Sequence, residues 1–145
     1  MITIIQRVTH ASVTVNDNVI GKIEQGILAL VAVEKMDTIT MAERLLERIL
    51  NYRIFADADD KMNLSLRDIH GGLLLVPQFT LAANTDKGNR PSFTAAAPPE
   101  LGREMFDYLQ THAAQIYDNV QFGEFGADMK VALLNDGPVT FTLTV

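Results

Sequence analysis

Apolar and polar positions alternate with a period of two near both ends of the chain, and with a helical period in two places between them. Residues 2–8 and 11–15 alternate, the second segment clearly, with Ala11, Val13 and Val15 on one side. Asn16, Asp17 and Asn18 then supply turn chemistry before residues 19–23 return, which predicts a hairpin. Residues 27–33 form an uninterrupted apolar run and predict a central strand covered on both faces. Met41, Ala42, Leu45, Leu46, Ile49 and Leu50 recur at helical spacing behind a capping-box pattern, Thr40-x-x-Glu43. Residues 53–56 read as a short strand, 57–61 as a charged turn and 61–64 as a connecting strand.

A second helix opens at Pro98-Pro99-Glu100, with proline and an acid in its first turn and an inner stripe of Leu101, Met105, Tyr108, Leu109, His112 and Ile116. His112 falls on that stripe and reads as a packed side chain. Residues 128–134 are strand-like, and residues 139–145 alternate without a fault, with Val139, Phe141, Leu143 and Val145 inward and three threonines outward. Strands outnumber helices, and strand-rich segments separate the two helices. The expectation is an α+β fold: a strand-rich single domain over residues 1–145, with layered sheets and two main helices packed on one face.

The stretch over residues 73–93 organises the rest. Four aliphatic residues, 73–76, run into Pro77-Gln78-Phe79-Thr80, so a buried strand delivers a glutamine and a threonine where its burial stops. A polar segment with Lys87, Gly88 and Arg90 follows, which suits a partner carrying negative charge and is equally what an ordinary solvated loop contains. Asn135-Asp136-Gly137-Pro138 offers a second point of interest. Asp-Gly between alternating segments is normally a hairpin turn, but Pro138 cannot donate to a ladder and fits poorly at the first paired position of a strand.

Composition narrows the chemistry. The chain has 145 residues, 48% hydrophobic and 21% charged, the balance of an ordinary folded domain. It has no cysteine, which removes disulfides, thiolate catalysis and sulfur-based zinc sites. No His/Asp/Glu set has ligand spacing, so a metal enzyme is the least expected reading; no cofactor is expected. No apolar stretch approaches the roughly 18 residues needed to span a bilayer, and the opening run is too short for a signal-peptide core, so a cytoplasmic location with no membrane partner is expected. A net charge of −6 argues against a general nucleic-acid coat protein but leaves room for a grip on one nucleic-acid end by a few local cations such as Lys87 and Arg90.

Five segments in register carry a resemblance: Ile5-Gln-Arg-Val8, Gln78-Phe79-Thr80, residues 87–93 (Lys-Gly-Asn-Arg-Pro-Ser-Phe), residues 125–129 (Phe-Gly-Ala-Asp-Met) and Asn135-Asp-Gly-Pro-Val-Thr140. In length, order and spacing the chain resembles the D-aminoacyl-tRNA deacylases over essentially its whole extent. The resemblance implies a homodimeric enzyme that hydrolyses the ester joining a D-amino acid, or glycine, to the terminal adenosine of tRNA. It implies that Gln78, Phe79 and Thr80 line the active site of one subunit, and that Gly137-Pro138, as a cis pair held by Arg7, enters the site of the other to select handedness. Phe125, Ala127 and Met129 would form the adenosine pocket, with Lys87 and Arg90 near the tRNA end. The family usually has serine where this chain has Pro77, which removes a hydroxyl and a backbone N–H at that point. Other readings of the same residues are a non-catalytic RNA-end binder that stacks bases on Phe79 and Phe93, and a β-rich module in which Gly137-Pro138 is only a turn.

Overall fold

The computed structural model describes residues 1–145. Strand β1 (Ile2–Val15) runs through both alternating segments without a break, turns at Asn16 and Asp17, and pairs antiparallel with β2 (Asn18–Ile23). Both turn residues have positive φ, 48° and 62°, the geometry of a two-residue hairpin turn and a conformation that Asn and Asp tolerate. Strand β3 (Gly26–Ala32) pairs antiparallel with the first half of β1, and its long apolar run is buried on both faces, as expected of a central strand.

Helix α1 (Ile39–Asn51) buries Ala42, Leu45, Leu46, Ile49 and Leu50, and each of the larger side chains contributes about 1.5–3 kcal/mol through its burial. Its cap differs from the expected box. Thr38, not Thr40, accepts from the Met41 N–H at 3.4 Å, and Glu43 instead accepts a 2.6 Å hydrogen bond from the Tyr108 hydroxyl, joining the two main helices. That carboxylate raises the Tyr108 phenol above its ordinary pKa. Strands β4 (Phe55–Ala56) and β5 (Met62–Leu64) form a small separate ribbon across the charged turn. A one-turn helix, α2 (Leu66–Ile69), follows with a complete capping box between Ser65 and Asp68, which sequence periodicity did not reveal because four residues are too few to show it.

Strand β6 (Gly72–Pro77) lies parallel to β3 and is buried up to Val76, after which a 3₁₀ turn, Phe79–Ala82, takes the chain out. Helix α3 (Pro99–Ile116) buries Gly102, Met105, Phe106, Leu109 and Ala113. The expected stripe is therefore rotated: Leu101, Tyr108, His112 and Ile116 flank the buried face rather than forming it. Strand β7 (Val120–Phe122), not anticipated, adds parallel to β6. The large sheet has the order β2-β1-β3-β6-β7, with β8 (Lys130–Thr144) on the free side of β1. Contacts between β2 and β7 show the sheet curling towards closure. Both main helices share one core with Ile5, Ile27, Ala29, Leu73 and Leu75, so they do pack on one sheet face, while Val8, Val13, Leu28 and Leu74 fill the other.

The last two expected strands are one. Both halves of β8 pair antiparallel with β1, so Asn135-Asp-Gly-Pro138 is not a hairpin turn. The pairing passes from Val8↔Asn135 to Gln6↔Thr140, five positions along β8 against two along β1, and the surplus bulges out of the ladder. Phe141, expected inward, is more than a third exposed and rests against the Tyr52 ring at 5.5 Å.

Candidate active site

Where β6 stops being buried, its last residues become the wall of a cavity. The cavity holds about 500 Å³ and is mostly apolar, bounded by Val31, Val76, Phe106, Phe125, Ala127 and Met129, with Pro77, Gln78 and Phe79 along one side. That volume lies in the range of small-molecule sites. Four elements build it: β3 supplies Val31, the β6 end supplies Val76, Gln78 and Phe79, α3 supplies Phe106, and the segment before β8 supplies Phe125, Ala127 and Met129.

The backbone at the β6 end is anchored by one bond, from the Gln78 N–H to the Val31 carbonyl at 2.7 Å. The 3₁₀ turn then closes through Leu81 N–H to the Gln78 carbonyl at 3.2 Å and Ala83 N–H to the Thr80 carbonyl at 3.1 Å. As at any helical start, the first N–H groups of the turn find no partner inside it. The Phe79 and Thr80 N–H groups, the first two of the turn, enter none of the turn, loop or cap bonds. The Gln78 side-chain amide donates to the Thr80 hydroxyl, so the two polar side chains of the segment hold each other.

Pro77 fits this geometry. Alternate β6 residues face β3 and β7, and the N–H groups of Gly72 and Gln78 go to the β3 side while that of Leu73 goes to Asn119. Position 77 therefore points its nitrogen towards the β7 side, beyond the last β7 pair, Leu75↔Phe122. No ladder bond to β3 is lost. A Cβ on Gly123 would lie 3.2 Å from the Pro77 ring and 2.9 Å from the Met129 sulfur, so the ring packs where that glycine leaves room.

Phe125 is held from α3. Its ring lies 6.5 Å from Phe106, the Arg103 guanidinium sits 5.0 Å above its centroid, and the same guanidinium donates to its carbonyl at 3.5 Å. Gly102 lets the ring lie on the helix, since a Cβ there would stand 3.1 Å from it. Gly102, Arg103 and Phe106 were not singled out in the sequence; a glycine four residues before a phenylalanine on one helix face was the available signal.

The structure brings Gln78, Phe79, Phe125, Ala127 and Met129 to one cavity, with Thr80 adjoining. Lys87 and Arg90 stand apart from it on a hairpin closed by the Asn84–Ser92 pair, with bonds of 2.8 and 3.0 Å. Arg7, Gly137 and Pro138 lie elsewhere. The Gly137–Pro138 peptide is cis, and both residues are exposed at the β8 bulge. The Arg7 guanidinium donates to the Asp136 carbonyl at 2.9 Å and the Ile54 carbonyl at 2.7 Å. Asn135 closes the base of the bulge, accepting from the Val139 N–H at 2.7 Å and donating to the Thr140 hydroxyl at 2.9 Å. Gly137, at φ 142°, occupies backbone space that other residues rarely adopt, and a Cβ there would meet Val139 at 2.7 Å.

A family model described as D-Tyr-tRNA(Tyr) deacylase matches residues 4–144. The chain belongs to the D-aminoacyl-tRNA deacylase family. It is 59% identical to a D-aminoacyl-tRNA deacylase of Pseudomonas fluorescens over 140 residues, 97% of each chain. With the D-aminoacyl-tRNA deacylase of Nitrosococcus oceani it shares 57% identity over all 145 residues and 94% of that chain. Among solved structures, that of a c-Myc DNA Unwinding Element Binding Protein superposes with a TM-score of 0.95 at 37% identity, covering 100% of this chain and 99% of that one. A probable eukaryotic D-amino acid tRNA deacylase shares the fold, with a TM-score of 0.85 at 16% identity over 98% and 97% of the two chains. Membership of a deacylase family makes the protein a hydrolase.

Proposed function

We propose that this protein hydrolyses the ester bond of D-aminoacyl-tRNA and of glycyl-tRNA, working in the cytoplasm as a homodimer whose two sites each take residues from both subunits. The observation that carries the reading is the cavity edged by Gln78 and Phe79, with Thr80 adjoining, where the first two N–H groups of the 3₁₀ turn enter no turn, loop or cap bond. An aminoacyl ester is already activated, so positioning and charge stabilisation are the main tasks. The Phe79 and Thr80 N–H groups stabilise the oxyanion that forms when water attacks the acyl carbon; one such donor is typically worth about 3 kcal/mol.

Thr80 positions rather than attacks. A hydroxyl nucleophile needs a neighbouring base, and the side-chain partner of this hydroxyl is the Gln78 amide, which takes no proton. The ribose 2′-OH beside the ester assists the water instead. The apolar walls at Phe125, Ala127 and Met129 receive the terminal adenosine, and Lys87 and Arg90 face the approaching RNA.

Handedness is sensed by the main chain of Gly137–Pro138 from the partner subunit. Rejecting L-substrates by ~10⁴-fold takes about 5.5 kcal/mol, more than a pocket tolerant of many side chains provides. A fixed backbone that accepts from the α-amino group and collides with the wrong substituent supplies it. Glycine has no substituent to collide and passes. Two features support donation across a dimer: the bulge is exposed rather than turned into its own cavity, and β8 presents a long unpaired edge.

The test is ester loss from matched D- and L-tyrosyl-tRNA, with sedimentation giving the oligomeric state. Hydrolysis of the D-ester alone by a dimer is expected; equal rates on both, or a monomer with full activity, would overturn the reading. A normal rate on a substrate ending in 2′-deoxyadenosine would remove the 2′-OH from the mechanism. The 37% identical structure bears the name of a DNA-element binding protein, which favours a second reading: nucleic-acid binding without turnover. The same assay separates it, because a binder retains the RNA and leaves the ester intact.

A further inference from the structure

Two phenylalanine rings, Phe79 and Phe93, stand in water at the edge of the site. They are 57% and 41% exposed, with centroids 5.1 Å apart and planes inclined at 55°. The core does not need them, since neither belongs to a buried cluster. Phe79 also lines the cavity, so the pair is continuous with the site. Phe93 directly follows the Asn84–Ser92 hairpin, and the Lys87 and Arg90 on that hairpin form no hydrogen bond or ion pair within the protomer. Unpaired cations beside exposed aromatic surface, in a protein of net charge −6, match a single-stranded nucleic acid better than a protein partner.

We propose that the Phe79–Phe93 pair is a stacking platform for the penultimate nucleobase of the substrate RNA, with Lys87 and Arg90 meeting the adjoining phosphates. The inference rests on the terminal nucleoside occupying the cavity, as argued above. Every base has a π-face, so the platform grips any single-stranded end without reading its sequence, and affinity falls as salt rises.

The test uses an acceptor-stem RNA minihelix whose penultimate cytidine is replaced by fluorescent pyrrolocytidine, together with D-tyrosyl-tRNA as substrate. Wild type is expected to quench the fluorophore on binding. Phe93→Leu, which keeps an apolar side chain but no ring, is expected to lose the quench and raise KM about tenfold with little change in kcat. Phe93→Tyr is expected to restore both. With a substrate abasic at the penultimate position, the wild-type advantage over Phe93→Leu is expected to shrink by about that same factor. Equal penalties on the intact and abasic substrates, or a quench that survives Phe93→Leu, would overturn the platform. Quenching by a protein that hydrolyses no ester supports the platform and refutes the catalytic reading, whereas D-specific turnover indifferent to Phe93 does the reverse.

Discussion

Replacing Arg7 by methionine tests whether the β8 bulge is held in place by that guanidinium. The stem of similar length keeps the packing, while the two bonds to the Asp136 and Ile54 carbonyls, at 2.9 and 2.7 Å, disappear. Hydrogen bonds from a charged donor contribute about 1.5–3 kcal/mol each. The Arg7 side chain is only 16% exposed, so water replaces the lost donors poorly, whereas the nearby Asp136 carboxylate, at 3.7 Å and half-exposed, adds little. Together the losses come to about 3–6 kcal/mol, which for a chain of this size lowers Tm by roughly 9–20 °C. Thermal unfolding at fixed protein concentration measures it, because any assembly of subunits makes Tm depend on concentration. D-tyrosyl-tRNA hydrolysis, assayed well below the lowered Tm, is expected to fall by at least tenfold, with selectivity against the L-ester weakened. Arg7→Lys, able to reach one carbonyl, should lie between. A Tm within about 2 °C of wild type, or full activity and selectivity in Arg7→Met, would show that the bulge holds its shape without Arg7.

Other perturbations isolate other parts. Asn135→Ala removes the amide at the base of the bulge and leaves the Val139 N–H without its 2.7 Å acceptor; a stability loss of about 1–2 kcal/mol by urea titration is expected, with reduced discrimination between D- and L-esters. Gly102→Ala sets two effects against each other: helix propensity gains about 1 kcal/mol, while the new Cβ presses the Phe125 ring at 3.1 Å. The expected outcome is little change in Tm but a raised KM for tRNA, and an unchanged KM would detach Phe125 from binding. Asp68, held below the ordinary carboxylate pKa chiefly by the Ser65 N–H in the α2 capping box, stabilises the fold only while ionised. Its contribution is present above the unfolded carboxylate pKa near 4 and is lost as pH falls through the lower folded value. Wild type should therefore exceed Asp68→Asn in Tm at pH 7 and converge with it in strong acid.

Much of the fold was legible because its elements are long and one-sided. The β1–β2 turn, the β3 run and the inner face of α1 follow from alternation and turn chemistry alone. The failures share a cause: local signals that tertiary contacts reassigned. Thr40-x-x-Glu43 reads as a cap, but Glu43 is taken by Tyr108 from another helix, and Thr38 caps instead. The buried face of α3 departs from the expected stripe: it takes in Gly102 and Ala113, which carry little hydrophobic weight, and Phe106, while Tyr108 and His112 move to its flank. Asp-Gly-Pro reads as a reversal of the chain, yet the pairing of both halves of β8 with β1 keeps the direction and ejects the surplus. No local pattern encodes that, since the partner strand lies more than a hundred residues away in sequence. The candidate site was legible at the β6 end, where a buried strand gives out into polar residues, and not at α3, whose contribution depends on how the helix lies against Phe125.

Pro77 shows why a departure from a family pattern must be judged by its place in the ladder. A proline in the middle of β6 would forfeit a bond and end the strand. At position 77 its nitrogen points past the end of β7, where no acceptor is paired with it, and the next residue still delivers its N–H to Val31 at 2.7 Å. The strand therefore hands on to the 3₁₀ turn intact, and the ring fills the gap beside Gly123 and Met129 on the cavity wall. If the oxyanion is held by the Phe79 and Thr80 N–H groups, a hydroxyl at position 77 is dispensable. Pro77→Ser is then expected to alter kcat less than threefold while changing KM through the wall. A rise in kcat of a hundredfold or more would mean that a serine hydroxyl does chemistry this chain lacks, and that the main-chain donors are secondary.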